Sequence, residues 1–179
     1  MNPELKIRRH GYHLMSLASI GTVTVTAVGL CFVLLVLSGS TAPFGTWVLF
    51  DLPLEAAAGL DAGDRGLLAV AIVLSTLTYL LPLAAVRRVG KALHACVALS
   101  EPVASAFMRL AHSLPLSLLF DLAGAFVAAW VQSSHDAWQL RITVSTSPDY
   151  FLLACLCLYS VAHLLRLAVQ AAEDARSIV

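Results

Sequence analysis

The chain has 179 residues, of which 59% are hydrophobic and 12% are charged, and its formal net charge is zero. A soluble domain carries about a quarter charged residues, so this composition excludes a soluble globular protein and indicates an integral membrane protein. A helix of roughly 20 apolar residues crosses the hydrocarbon layer of about 30 Å, and the chain contains four such runs.

The four predicted spans cover residues 14–37, 66–86, 113–131 and 150–167. The second span ends at Arg87 and Arg88, and the third contains a single acidic residue, Asp121. Short connections leave no room for a separate soluble domain. The sequence therefore predicts an all-α membrane protein, a single four-helix transmembrane bundle over residues 1–179.

The connections between the spans carry two further predictions. Residues 87–112 are mostly good helix formers, interrupted at Ser100-Glu101-Pro102, which is a helix-start signal. We therefore expect a helical hairpin between helices 2 and 3, with the new helix beginning at Glu101. The segments 46–52 and 139–146 are rich in β-branched and aromatic residues and predict a small outer β element.

Basic residues predict the orientation, because Lys and Arg are retained in short cytoplasmic loops. With four spans, both termini lie on one side of the membrane. If that side is the cytoplasm, Arg65 and Arg141 are the only two of the eleven Lys and Arg residues that lie outside. The sequence therefore predicts a multi-pass protein with both termini and the hairpin in the cytoplasm.

A carboxylate facing lipid costs about 2.5–3.5 kcal/mol, so Asp121 is expected to face the helix interior with a partner. His163 lies at a similar depth by helix rise, and Arg166 lies one turn nearer the cytoplasm on the same face. Together with Tyr159 they form a predicted intramembrane polar site. Two interpretations stay open: Asp121 fixes how the helices pack, or it serves a small transporter or channel.

The spacing of the histidines and cysteines gives little indication of a cofactor site or a redox site. His13, His112 and His163 all lie toward the inner leaflet, and facing histidines can hold haem in a bundle. However, no two share a helix at i, i+3 or i, i+4 spacing. The four cysteines avoid the outer loops, so no structural disulfide is expected. We predict no cofactor and no metal site, with a haem or quinone redox protein as an alternative.

Three stretches resemble a known family. They are the basic loop with "LSEP" and "VASAFMRLA", the outer "LRITVSTSPDYFLLACL", and the ending "VAHLLRLAVQAAEDARSIV". From Leu67 onward the chain resembles a family of small bacterial four-span membrane proteins catalogued as domain of unknown function 2975. The resemblance implies location in the bacterial inner membrane and partnership with small helix-turn-helix regulators, in a family without an established enzymatic activity.

The sequence thus predicts a non-enzymatic membrane protein that binds a protein partner and does not bind nucleic acid directly. The partner is expected to be a cytoplasmic regulator or the rest of a membrane complex, and a homo-oligomer is left open. The predicted contact surface consists of Arg87, Arg88, Lys91, Phe107 and Arg109. The alternative for these cations is attraction to anionic lipid headgroups, worth about 1 kcal/mol per basic residue.

Overall fold

The computed structural model describes residues 3–39, 59–95, 101–135 and 148–177, with side chains over 8–39, 59–95, 101–131 and 153–171. The prediction of four helices is confirmed. They are α1 (Pro3–Ser38), α2 (Ala62–Ala95), α3 (Glu101–His135) and α4 (Pro148–Ser177). These described ranges contain no strand. The predicted outer β element, on residues 46–52 and 139–146, lies outside them.

Each helix contains a segment long and apolar enough to cross a membrane. These segments are Arg8–Ser38, Ala62–Ala95, Glu101–Val131 and Leu153–Ala171. At most 22% of the most apolar window in any of them is buried inside the protein. The exposed remainder includes many large aliphatic side chains, such as Leu17 and Val23. Such extensive apolar surface is unusual on a soluble monomer, and it is suited to contact with lipid.

The helices are longer than the predicted spans. α2 has 34 residues, a length of about 50 Å, against a hydrocarbon thickness of about 30 Å. Its predicted span ended at residue 86, and the helix continues to Ala95. α3 begins at Glu101, with that acid in its first turn, as the helix-start signal predicted. Both helices, of 34 and 35 residues, are therefore longer than a hydrocarbon layer is thick.

Two helices contain an internal proline without being broken. Pro82 lies inside α2 and Pro115 lies inside α3. A proline removes one backbone donor, and transmembrane helices tolerate this because nearby groups satisfy the freed carbonyl. Each of these helices is therefore one continuous element.

The chain divides into two compact units. Unit 1 comprises Met1–Val23, Leu81–Leu116 and Pro148–Val179, and unit 2 comprises Thr24–Leu80 and Ser117–Ser147. Unit 1 thus contains the start of α1, the end of α2, the start of α3 and all of α4.

In unit 1, α1 and α2 meet at a pair of glycines. A Cβ added at Gly11 would lie 2.8 Å from the carbonyl oxygen of Gly90, and one added at Gly90 would lie 2.8 Å from that of Gly11. Only residues without a side chain permit this approach. Beside it, Nδ1 of His94 donates to the carbonyl oxygen of Arg8 at 3.2 Å, because a carbonyl can only accept. The contact joins the two helices through backbone atoms.

Unit 2 has a small aliphatic and aromatic core. Its buried members come from α1, the turn before α2, α2 and α3, and they are Phe32, Val36, Leu60, Leu68, Ile72 and Val131. α1 is followed by Gly39, whose φ of 64° is the left-handed conformation of a glycine after a helix end. A Cβ at Gly39 would collide with the guanidinium of Arg65. That cation therefore lies at the C-terminal end of α1, where the helix dipole favours positive charge.

Candidate functional site

Basic side chains are concentrated in unit 1. Among the side chains that the structure describes, the exposed Lys and Arg residues of this unit are Arg8, Arg9, Arg87, Arg88, Lys91, Arg109 and Arg166. Its one described carboxylate is Glu101. In unit 2 the described charges are Arg65 and three acids, Asp61, Asp64 and Asp121. The two units therefore carry opposite charge balances.

The cations of the predicted contact surface are exposed. Arg87, Arg88 and Lys91 are all exposed on α2, and the spacing from Arg87 to Lys91 is one helical turn. On α3, Arg109 is exposed and Phe107 is half-buried. The surface is thus cationic and contains one partly accessible aromatic ring.

A groove of about 310 Å³ lies between α3 and α4 within unit 1. It is lined by Glu101, Ala104, Ser105, Met108, Arg109, His112 and Arg166. The α3 members recur at steps of three and four residues, which places them along one helix face. The groove brings Arg109, predicted as a partner contact, together with Arg166, predicted as part of the intramembrane polar site.

The α4 residues of that predicted polar site are separated by roughly one turn each. Tyr159 is half-exposed, and its ring contacts the ring of His112 on α3 edge to face, with a centroid distance of 5.5 Å. Arg166 follows two turns later and lines the groove. His163 is exposed. α4 therefore presents a polar edge to α3 at Tyr159 and Arg166.

Asp121 lies in unit 2, opposite α2. One turn further along α3, a Cβ at Gly124 would lie 3.0 Å from Oγ of Ser75 and 3.1 Å from the carbonyl oxygen of Ala71. The neighbouring turns, which carry Asp121 on α3 and Tyr79 on α2, therefore also lie near each other. Asp121 is half-buried and lies near enough to Tyr79 for its charge to act on the phenol. The structure therefore gives Asp121 a polar neighbour on α2.

The predicted pairing of Asp121 with His163 or Arg166 stays a prediction. Asp121 belongs to unit 2, whereas the other two residues belong to unit 1. The proximity of Tyr79 was missed because the sequence offered no register between α2 and α3. The signal that could have found it is the small residue Gly124, which marks where α3 approaches another helix.

The polar hydroxyls inside the spans are mostly satisfied locally. The buried Thr76 donates to the carbonyl oxygen of Ile72 at 2.7 Å, and Thr78 donates to that of Leu74 at 3.2 Å. Such bonds one turn back are the usual solution for a hydroxyl in an apolar helix. These groups support the helices and do not form a polar path by themselves.

Among the described residues, no group of three or more His, Cys, Asp or Glu side chains is placed to hold a metal ion. The described cysteines, Cys31, Cys155 and Cys157, are free thiols.

The fold and these sites define the class of protein: a chain with four helices that are each able to cross a membrane, as in a multi-pass membrane protein. Comparisons with family models, with curated proteins and with solved structures give no match.

Proposed function

We propose that the chain is a non-enzymatic, multi-pass protein of the bacterial inner membrane that binds a protein partner through the cytoplasmic side of unit 1. The partner is a cytoplasmic regulator that the protein senses or sequesters, or a membrane complex of which the protein is an accessory subunit. The resemblance of residues 67–179 to a bacterial four-span family supports the regulator.

The observation that carries this proposal is the exposure of the cations of unit 1. Arg87, Arg88 and Lys91 are exposed on one stretch of α2, and Arg109 is exposed on α3. Basic residues next to membrane spans are retained in the cytoplasm, so this surface would face soluble proteins. Charged surfaces steer and select a partner of opposite charge, so the partner surface is acidic.

The test is crosslinking in native membranes, followed by co-purification and reconstitution with the purified partner. The variant R87E/R88E/K91E reverses the charge, and R87K/R88K/K91R preserves it as a matched control. We expect the first variant to lose the partner and the second to keep it, with binding that weakens as ionic strength rises. Identical partners and affinities for both variants would refute the proposal.

Charge reversal can also alter membrane orientation, since orientation follows the basic residues. The topology of each variant is therefore measured in parallel. The partner binding of the two variants is compared only if both have the membrane topology of the wild type.

A second candidate is a small transporter or channel that uses Asp121. The observation that favours it is the neighbourhood of Asp121 and Tyr79, two ionisable groups inside apolar helices. Intramembrane carboxylates mark ion and proton pathways by default. Proton or ion flux in liposomes that is abolished by Asp121→Asn would establish this function, whereas wild-type liposomes without flux would leave partner binding in place.

A further inference from the structure

The groove between α3 and α4 combines two arginines with the first turn of a helix. Arg109 of α3 and Arg166 of α4 line it from two sides, and Glu101 and Ala104 belong to the start of α3. Guanidinium groups form paired hydrogen bonds with phosphate. The groove is therefore suited to a phosphate group.

His112 adds a directed polar atom to the same groove. Its Nδ1 lies 2.7 Å from the carbonyl oxygen of Met108 and must donate, because that carbonyl has no hydrogen to give. The proton therefore resides on Nδ1, and Nε2 is a hydrogen-bond acceptor, which suits a hydroxyl of a headgroup and not a phosphate oxygen. The edge-to-face contact with Tyr159 holds the ring in place.

The net charge of the groove favours a ligand with a single negative charge. Arg109 and Arg166 contribute two positive charges, and Glu101 contributes one negative charge. A phosphodiester carries one negative charge, which matches the net single positive charge that remains when Glu101 is counted against the two arginines. Glu101 disfavours a second negative charge and can accept a hydrogen bond from a hydroxyl of the headgroup. The arrangement thus fits a phosphodiester that carries hydroxyl groups.

The surface around the groove is suited to contact with a lipid. Its walls belong to two segments able to cross a membrane, Glu101–Val131 and Leu153–Ala171. Beside Arg166 on α4, Leu164 is 65% exposed and Leu167 is 49% exposed. Acyl chains attached to a phosphate at Arg166 would find apolar surface there. Basic pockets between transmembrane helices are known sites for anionic headgroups.

We infer that the groove of unit 1 is a binding site for the phosphodiester headgroup of an anionic phospholipid, held by Arg109 and Arg166. This inference goes beyond the proposed function, because it requires no protein partner and depends on a different set of residues apart from Arg109.

The test uses the purified full-length chain with phosphatidylglycerol as the probe and phosphatidylcholine as the neutral comparison. Lipid retention is measured by native mass spectrometry, and thermal stability is measured in nanodiscs of each lipid. The variant R109Q/R166Q removes two charges inside the groove. The variant R8Q/R9Q removes two exposed charges of α1 that do not line the groove. Each double variant loses two positive charges, so the general attraction to anionic lipid falls equally in the two variants.

We expect the wild type and R8Q/R9Q to retain phosphatidylglycerol over phosphatidylcholine by about tenfold or more, and R109Q/R166Q to lose that preference. Glu101→Gln should increase retention, because it removes the negative charge of the groove while its amide oxygen can still accept from a headgroup hydroxyl. This variant keeps the proposal testable if the double variant does not fold. Equal preference in the two double variants, or a Glu101→Gln variant that retains less, would overturn the site.

Inorganic phosphate serves as the control that distinguishes a lipid ligand from a free phosphate anion. At millimolar concentration it should neither displace phosphatidylglycerol nor raise the thermal stability of the protein in phosphatidylcholine. If it did both, the groove would be a site for free phosphate and the lipid assignment would be wrong. Partner capture by R109Q/R166Q is scored separately, so the failure of one proposal does not imply the failure of the other.

Discussion

At the scale of single residues, the intramembrane carboxylate is the unusual feature of this chain. Asp121 lies on a helix whose neighbours are apolar, and α2 supplies Tyr79 opposite it, one turn from the Gly124 contact. A polar neighbour lowers the cost of keeping a carboxyl group within a lipid-spanning segment. Polar interactions between transmembrane helices contribute modestly to stability. We therefore expect Asp121 to help fix the register of α3 against α2.

A double-mutant cycle of Asp121→Leu and Tyr79→Phe tests that role. We expect a coupling free energy of about 0.5–2 kcal/mol, because Tyr79 lies near enough for the charge of Asp121 to act on it. The measurement is reversible unfolding in detergent or bicelles. Asp121→Asn serves as the control and should retain the fold, since an amide preserves polar contact. Strictly additive effects of the two substitutions would show that the residues do not interact.

At the scale of helices, the contact of α1 with α2 in unit 1 depends on backbone atoms. Gly11 and Gly90 each face the carbonyl oxygen of the other, and a Cβ at either position would also meet backbone atoms at 2.7 Å. A flexible side chain can rotate away from an added methyl group, but backbone cannot. Glycine is therefore required at this crossing for steric reasons.

Substitution of alanine at Gly90 should destabilise the protein by about 1–3 kcal/mol, because the added methyl overpacks the contact. At Gly66 of the same helix, an added methyl group would have nothing within 4 Å of it. Gly66→Ala should therefore be neutral or stabilising, by up to about 1 kcal/mol, through helix propensity alone. Unfolding in detergent measures both variants. Similar effects of the two substitutions would contradict the close approach.

At the scale of the whole molecule, charge distinguishes the two units. The described cations are concentrated in unit 1, and three of the four described acids belong to unit 2. Neutral composition therefore hides a strong asymmetry. Because cationic segments are retained on the cytoplasmic side, this asymmetry predicts one orientation in the membrane.

Single-cysteine labelling tests that orientation in a background without the four natural cysteines. We expect a membrane-impermeant maleimide to label Asp61→Cys in intact cells and to label Lys91→Cys only after permeabilisation. Both positions are exposed, so access to the reagent depends on the side of the membrane alone. The reverse pattern would place unit 1 outside and remove the basis for a cytoplasmic partner.

The elements were largely predictable because apolar runs and charge are local properties of the chain. The four runs predicted four helices, and "SEP" at Ser100–Pro102 predicted the start of α3 at Glu101. Hydropathy predicted only the apolar part of each helix, and the helix-forming residues after residue 86 predicted that α2 continues beyond its span, as it does to Ala95. Partnerships between helices were harder to predict. Gly11 and Gly90 are 79 positions apart, and nothing local links them.

The sequence by itself determined that the chain is apolar enough to cross a membrane four times, and where its charges lie along the chain, since both depend only on residue type and order. Only the tertiary structure decided that Tyr79 is the neighbour of Asp121 and that Arg109 and Arg166 line one groove. The reason is physical: the register and rotation of one helix against another depend on how small side chains let the backbones approach, and this is a property of pairs of surfaces.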